Sequence, residues 1–407
     1  MTGNVEELIK AHRGVKREVY LDLENSSQVP REVVKAMIPY FSKKAYGNPT
    51  ITHKPGWMAY ETIMKASEQI ARYIDASSAE EINFTPGETE SNNLALIGSA
   101  LANRKRGSKI IISDIEPLSI TFSSQILEKR GFKVVKIPVN KEGFVDLDKL
   151  ANTIDKETVL VSIMAVNSEI GTLEPIREAT KIVKECNPET LFHTDASDAY
   201  CKVPVSVKEL GVDLVTMSSY KILGPRGISA LYVREGVDVE KLLEGQFGTQ
   251  RLWPGVENTP LIMGFLKASE LGLKNFENIS YVKKLRDTLM NGILNGISGT
   301  LLNGPRGDKR APDNVNISIL HCEGEAITIE LSLNGVYVSS GSACTRRILQ
   351  PSHVLTAIGR KYEAVHGSVL MKVTRYNTLD DIEYVLKIMP QAVGRIRKIS
   401  SSKEGKK

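Results

Sequence analysis

Three short stretches and one cysteine hold the residue types from which covalent chemistry is made. Lys221 ends the apolar run VTMSSYK and leaves it for a Gly-Pro loop. An amine fixed to a strand end and pointing into a crevice suits Schiff-base chemistry, although a lysine leaving a strand is usually a solvated one. Asp195 ends TLFHTDAS, where a carboxylate can pair with a cationic ring nitrogen and keep it protonated. Gly87-Glu88-Thr89 precedes a run with Leu94, Ile97 and Leu101 at helical spacing. Its backbone N–H groups and the Thr89 hydroxyl could hold an anion, though an ordinary helix cap uses the same residues. A phosphate cradle, a carboxylate for a ring nitrogen and an amine are together the needs of pyridoxal 5'-phosphate, an electron sink for amino-acid chemistry. Cys344 sits apart, in SSGSACTRR, among small polar residues rather than the apolar neighbours of a structural thiol. Arg346 and Arg347 next to it could lower its pKa through local positive charge, or could simply be solvated.

These residues need a scaffold, and the pattern around them supplies one. SKIIIS (108–113), FKVVKIPV (132–139), TVLVSIMAV (158–166), TLFHTDAS (190–197) and VDLVTMSS (212–219) are strand-like. Between them lie helical patterns at 122–131, 146–154 and 176–186. This alternation predicts an α/β fold with a mainly parallel sheet covered on both faces, and ISALYVRE (228–235) as an antiparallel addition. Ligands in such sheets sit at the carboxyl ends of the strands, where Asp195 and Lys221 fall. From about residue 280 the pattern becomes a smaller α+β unit: a long helix, NVNISIL, a helix over 323–333, VYVSS and a last helix from Leu379. The expected division is 31–279 as a large cofactor-binding domain, 1–30 with 280–399 as a small domain built from both termini, and 400–407 as a flexible tail. YLDLE is the expected opening strand of that small domain.

Composition narrows the function classes. The chain has 407 residues, 41% hydrophobic and 25% charged, with a formal charge of +5. That charge is mild and lies in surface clusters such as Arg104-Lys105-Arg106, with no basic stripe interleaved with aromatics for nucleic acid. The four cysteines (Cys186, Cys201, Cys322, Cys344) are far apart, without disulfide or zinc spacing. No run is long and apolar enough for a membrane span, and no leader-like segment follows the first Met. A cytoplasmic protein with reduced thiols is expected.

In YGNPTITH (46–53), FTPGETESNNLAL, VSIMAVNSEIG, HTDAS, SSYKILGPRGISALYV, SSGSACT and PSHVLTAIG, taken in this order, the sequence resembles the cysteine desulfurases among the class V, fold-type I pyridoxal-phosphate enzymes. The resemblance implies a fold-type I transferase in which Lys221 carries the cofactor and moves protons. It also implies Asp195 at the ring nitrogen, and Gly87, Thr89 and Ser218 at the phosphate. Ser168, Asp198 and Tyr220 occupy further cofactor-contact positions. Cys344 would take the sulfur of L-cysteine as a persulfide, leaving L-alanine, and pass it to an acceptor such as an iron–sulfur scaffold or a thiolation factor. The resemblance further implies a homodimer. The chain departs from the family at Pro117 (family His), Ser168 (Asn), Asp198 (Gln), Tyr220 (His), Val256 (Thr) and Leu370 (Arg). Two further readings therefore stand beside desulfuration: a paralogue serving as scaffold or sulfur relay, and a pyridoxal-phosphate enzyme for another substrate.

Overall fold

The computed structural model describes residues 14–274, 276–340 and 351–404. It opens with a two-residue strand, β1 (Val19–Tyr20). Seven strands then form one sheet: β2 (Ile82–Thr85), β3 (Lys109–Ser113), β4 (Lys133–Ile137), β5 (Thr158–Ser162), β6 (Leu191–Asp195), β7 (Leu214–Ser218) and β8 (Ser229–Val233). Their order is β2-β8-β7-β6-β5-β3-β4, with β8 antiparallel to both neighbours and the other pairs parallel. Six of these strands, β3 to β8, are the predicted ones, with β8 as the antiparallel addition; β2, at the edge beyond β8, is a seventh that the sequence pattern had not given.

Alternation along each strand divides the apolar side chains between two cores. Ile111, Val161, Phe192, Val215 and Ala230 enter one, while Ile110, Ile112, Leu160, Leu214 and Leu231 enter the other. A sheet buried on both faces must read as a continuous apolar run, which is how these strands were recognised. Helices Lys54–Tyr73 and Thr259–Lys274 contribute Ile63, Ile70, Ile262 and Phe265 to the first core. The helix expected over 122–131 starts earlier, at Leu118, because Pro117 stands before it with the φ of −59° that its ring imposes. It closes at Lys129, before the left-handed Gly131.

A second, four-stranded sheet contains β9 (Thr300–Leu302), β10 (Asn314–Ile319), β12 (Ser339–Ser340) and β13 (Ser368–Lys372), in the order β12-β13-β10-β9. Between them in sequence, β11 (Val336–Tyr337) pairs in parallel with β1. Val19 and Leu21 thereby join the core of this sheet and of helices Ile279–Gly296 and Leu379–Glu404. The last helix runs to Glu404, past the expected end near Ile399. Nothing between Leu379 and Glu404 stops it at 399, and the first glycine beyond is Gly405.

Candidate active site

Five strand ends and the small sheet surround one cavity of about 280 Å3. The chain leaving β3 brings Glu116 and Pro117, and the chain leaving β5 brings Ser168 and Glu169. Tyr220 and Lys221 follow β7, and Glu88 and Thr89 open the helix after β2. Ser339, Ser340 and Leu370 come from the small sheet, and Glu24 from the segment after β1. Gly87, Asp195, Asp198 and Ser218 are not among the lining residues. Cys344, with Arg346 and Arg347, lies outside the described residues.

A tight turn fixes Lys221. Tyr220–Ile222 form a single 3-10 turn, Leu223 is left-handed at φ +69°, and Gly224 N–H donates to Ser219 O at 2.9 Å. A Cβ on Gly224 would stand 2.2 Å from Ser219 Oγ, so this return of the chain requires glycine. The Lys221 side chain is 2% exposed, and its Nζ lies 2.8 Å from Glu24 Oε1 and 3.1 Å from Asp198 Oδ2. Burial pulls this amine down, but the Asp198 and Glu24 carboxylates outweigh it and hold the ammonium well above the ordinary lysine range. Tyr220 Oη is pushed up by burial, and its ring lies 5.3 Å from the Lys221 amine.

Asp195 is buried at the end of β6, oriented by Asn92 Nδ2 at 2.6 Å and by the Ser197 N–H at 2.8 Å. Burial raises its pKa and these hydrogen bonds oppose the rise. Ser218 and Ser219 are fully buried, and neither hydroxyl has a hydrogen-bond partner. Gly87 caps the helix that starts at Glu88 and supplies no side-chain bond, while Thr89 is exposed. Ser168 is half-buried, its carbonyl accepting from Asn314 Nδ2 at 3.2 Å. Asp198 faces three amines: Lys221, Lys372 at 2.5 Å and Lys202 at 3.2 Å. Burial works against its charge, but these cations hold it well below the usual carboxylate range.

Several participants lie beyond the sequence reading. Glu24 and Lys372 meet at 2.5 Å, although 348 residues separate them. A sign of Lys372 was available, since it is a charged residue two positions after Leu370 in the apolar strand SVLMK and so shares its face. Glu88 was read for its backbone alone, yet its Oε2 is buried without a partner. Burial first, and then Asp195, push this carboxyl up to about 8. Glu116 accepts from Ser113 Oγ at 2.6 Å and from Met164 N–H at 3.0 Å, and burial pushes it too to about 8. Glu169 accepts from Ser352 Oγ at 2.7 Å. His193, two residues before Asp195, is held between Ser162 and Thr216 and kept neutral by burial, with a pKa of about 3. Its role is structural.

The residues present accommodate pyridoxal phosphate. The buried, oriented Asp195 suits a cationic ring nitrogen, and Lys221 on the adjacent strand end suits an aldehyde. The partnerless Ser218 and Ser219 hydroxyls are donors available to an anion. Lysine and carboxylate on neighbouring parallel strands, beneath a cavity at their carboxyl ends, define an α/β enzyme of the pyridoxal-phosphate transferase class.

The comparisons with known proteins agree. The aminotransferase class-V family model matches residues 19–385, and the chain belongs to that family. A cysteine desulfurase IscS of Dictyoglomus turgidum is 42% identical over 391 residues, covering 96% of this chain and 98% of its own length. Cysteine desulfurase IscS 1 of Archaeoglobus fulgidus is 40% identical, over 94% of this chain and 98% of its own. Among solved structures, a NifS-like protein superposes with a TM-score of 0.87 at 33% identity, covering 93% of this chain and all of its own. The structure of SspA in complex with cysteine gives 0.75 at 29% identity, over 88% of this chain and 99% of its own. The family is pyridoxal-phosphate dependent. No helix among the described residues is long and apolar enough to cross a membrane.

Proposed function

We propose that this chain is a pyridoxal-phosphate-dependent cysteine desulfurase, converting L-cysteine to L-alanine with a persulfide on Cys344. The observation that carries the reading is Lys221, buried in the turn that follows β7, on the strand next to the one that Asp195 ends, in a chain similar over nearly its whole length to cysteine desulfurases. When bound, the cofactor supplies an electron sink for the substrate's bonds. Asp195 keeps the ring nitrogen protonated, Lys221 holds the cofactor and moves protons, and Ser218, Gly87 and Thr89 hold the phosphate. Ser168 and Tyr220, at further cofactor-contact positions, line the cavity, and Asp198 stands behind Lys221. Cys344, as thiolate, would attack the substrate sulfur: an S–S bond forms as the substrate C–S bond breaks, the electron pair of that bond stays with carbon, which takes a proton to give alanine, and Cys344 is left as a persulfide.

The division into a large domain (31–279) and a small domain (1–30 with 280–399) belongs to this reading, supported by the separate cores of the two sheets. So do a homodimer, a sulfur-accepting protein partner and a cytoplasmic setting, the last supported by free Cys186, Cys201 and Cys322. Incubation of the purified protein with pyridoxal phosphate and L-cysteine should yield alanine together with persulfide, and Cys344→Ser should abolish the persulfide. Absence of both products from the wild type would overturn the reading. A second reading, a scaffold or sulfur relay, is favoured by the ion pairing of Lys221 and by Leu370 on the cavity wall. It predicts no alanine, with Cys344 still accepting sulfur from a persulfide donor.

A further inference from the structure

Lys221 is already engaged by the protein itself. Its ammonium contacts Glu24 and Asp198, and both carboxylates also contact Lys372, closing a ring of four charges. Lys202 extends the ring from Asp198 to Asp313 at 2.8 Å. Three lysines thus face three carboxylates, and all three lysine side chains are at most 10% exposed. The members come from distant places: Glu24 after β1, Asp198 after β6, Lys221 after β7 and Lys372 at the end of β13. Buried ion pairs resist the loss of one partner, because the other is left charged and unsolvated.

Joining an aldehyde to Lys221 needs the free amine. The ammonium gives up a proton, its lone pair forms the new carbon–nitrogen bond, and the aldehyde oxygen leaves as water. The contacts to Glu24 and Asp198 favour the ammonium, while Lys372 shares both carboxylates and holds them in place. Glu88 adds to this opposition, since its buried carboxyl borders the same cavity and, when ionised, repels a phosphate.

We propose that Glu24 and Asp198, tied together by Lys372, form a latch on Lys221: the two carboxylates are positioning residues that hold the amine as an ammonium and must release it before a carbonyl cofactor can be captured. The proposal rests on the reading of Lys221 as the cofactor lysine. It also makes cofactor capture sensitive to the small sheet, which supplies Lys372, and to the segment that supplies Glu24.

The test is a double variant, Glu24→Gln with Lys372→Met, which removes one cation and one carboxylate together; the isosteric Glu24→Gln alone is measured alongside, and melting curves establish folding. Reductive methylation with formaldehyde and cyanoborohydride, followed by peptide mass, reads the free amine of Lys221 against the exposed Lys65. Titration with pyridoxal phosphate, read by absorbance and by borohydride trapping, gives cofactor affinity, with Lys221→Ala as the blank. The expected result is Lys221 methylation at least about tenfold faster in the double variant and a cofactor Kd at least about tenfold lower, a gain of roughly 1.4 kcal/mol. Unchanged methylation and affinity overturn the latch and leave the cofactor reading standing. Faster methylation without cofactor uptake by any variant supports the latch and overturns the cofactor reading.

Discussion

Glu116 shows how one side chain can make this fold sensitive to pH. It is fully buried on the cavity wall, with one oxygen taking two hydrogen bonds and Oε2 taking none. Its ordinary value is 4.5, and burial pushes it up to about 8 in the folded protein. The folded state therefore keeps a proton that the unfolded chain gives up as pH rises past 4.5. The contribution of this group to stability is fully present below 4.5 and is lost as pH rises through about 8. Glu116→Gln keeps the acceptor and cannot ionise. Scanning fluorimetry should show the variant melting with the wild type at pH 5 and roughly 2 °C or more above it at pH 8.5. Residues of this kind differ in how far the sequence reveals them. Lys221 and Asp195 were legible because each ends an apolar run, and strand ends are where sites form. Glu24 was not, because its partners Lys221 and Lys372 lie on other elements and nothing near it in sequence signals them.

The loop after β5 carries Ser168 and Glu169 to the cavity, and its shape depends on side chains of another sheet. Asn167 Nδ2 donates to Ile115 O at 3.0 Å, and its Oδ1 accepts from the N–H groups of Glu169 and Ile170. Asn314 and Asn316 of β10 donate to the carbonyls of Ser168 and Glu169, tying the loop to the small sheet. Gly171 completes the turn at φ +74°, and a Cβ there would meet Asn314 Oδ1 at 2.7 Å. Gly171→Ala adds the left-handed penalty to that collision, about 2 kcal/mol together, so thermal melting should fall by roughly 4 °C or more. An unchanged melting temperature would show that the loop is not clamped. At this scale the strands were legible because burial on both faces forces continuous apolar runs. The join between loop and small sheet was hidden, since amide-to-carbonyl bonds leave no periodic trace.

Across the whole molecule, one surface stands out by what it leaves exposed. Ile38 (59%), Phe41 (64%), Trp57 (61%) and Phe247 (80%) are apolar and open, as are Tyr46 and Val256. Helices Arg31–Met37 and Lys54–Tyr73 both pack on Thr259–Lys274; Ile38 and Phe41 follow the first, and Trp57 lies in the opening turn of the second. Tyr60, one turn after Trp57, lines a surface cleft with Thr249, Gln250 and Arg251, which brings the Phe247 segment there too. Large apolar side chains gathered in this way belong to an interface, because a monomer that leaves them in water forgoes their burial. Val256, one of the positions where this chain departs from its family, is itself 55% exposed. Light scattering after size exclusion should give twice the 44.9 kDa of one chain for the wild type. Trp57→Glu should shift the protein to the single-chain mass at micromolar concentration, because a carboxylate at an apolar contact must be desolvated without a partner. A variant that stays at the double mass would move the interface elsewhere, and a wild type at the single mass would remove the homodimer from the proposed function.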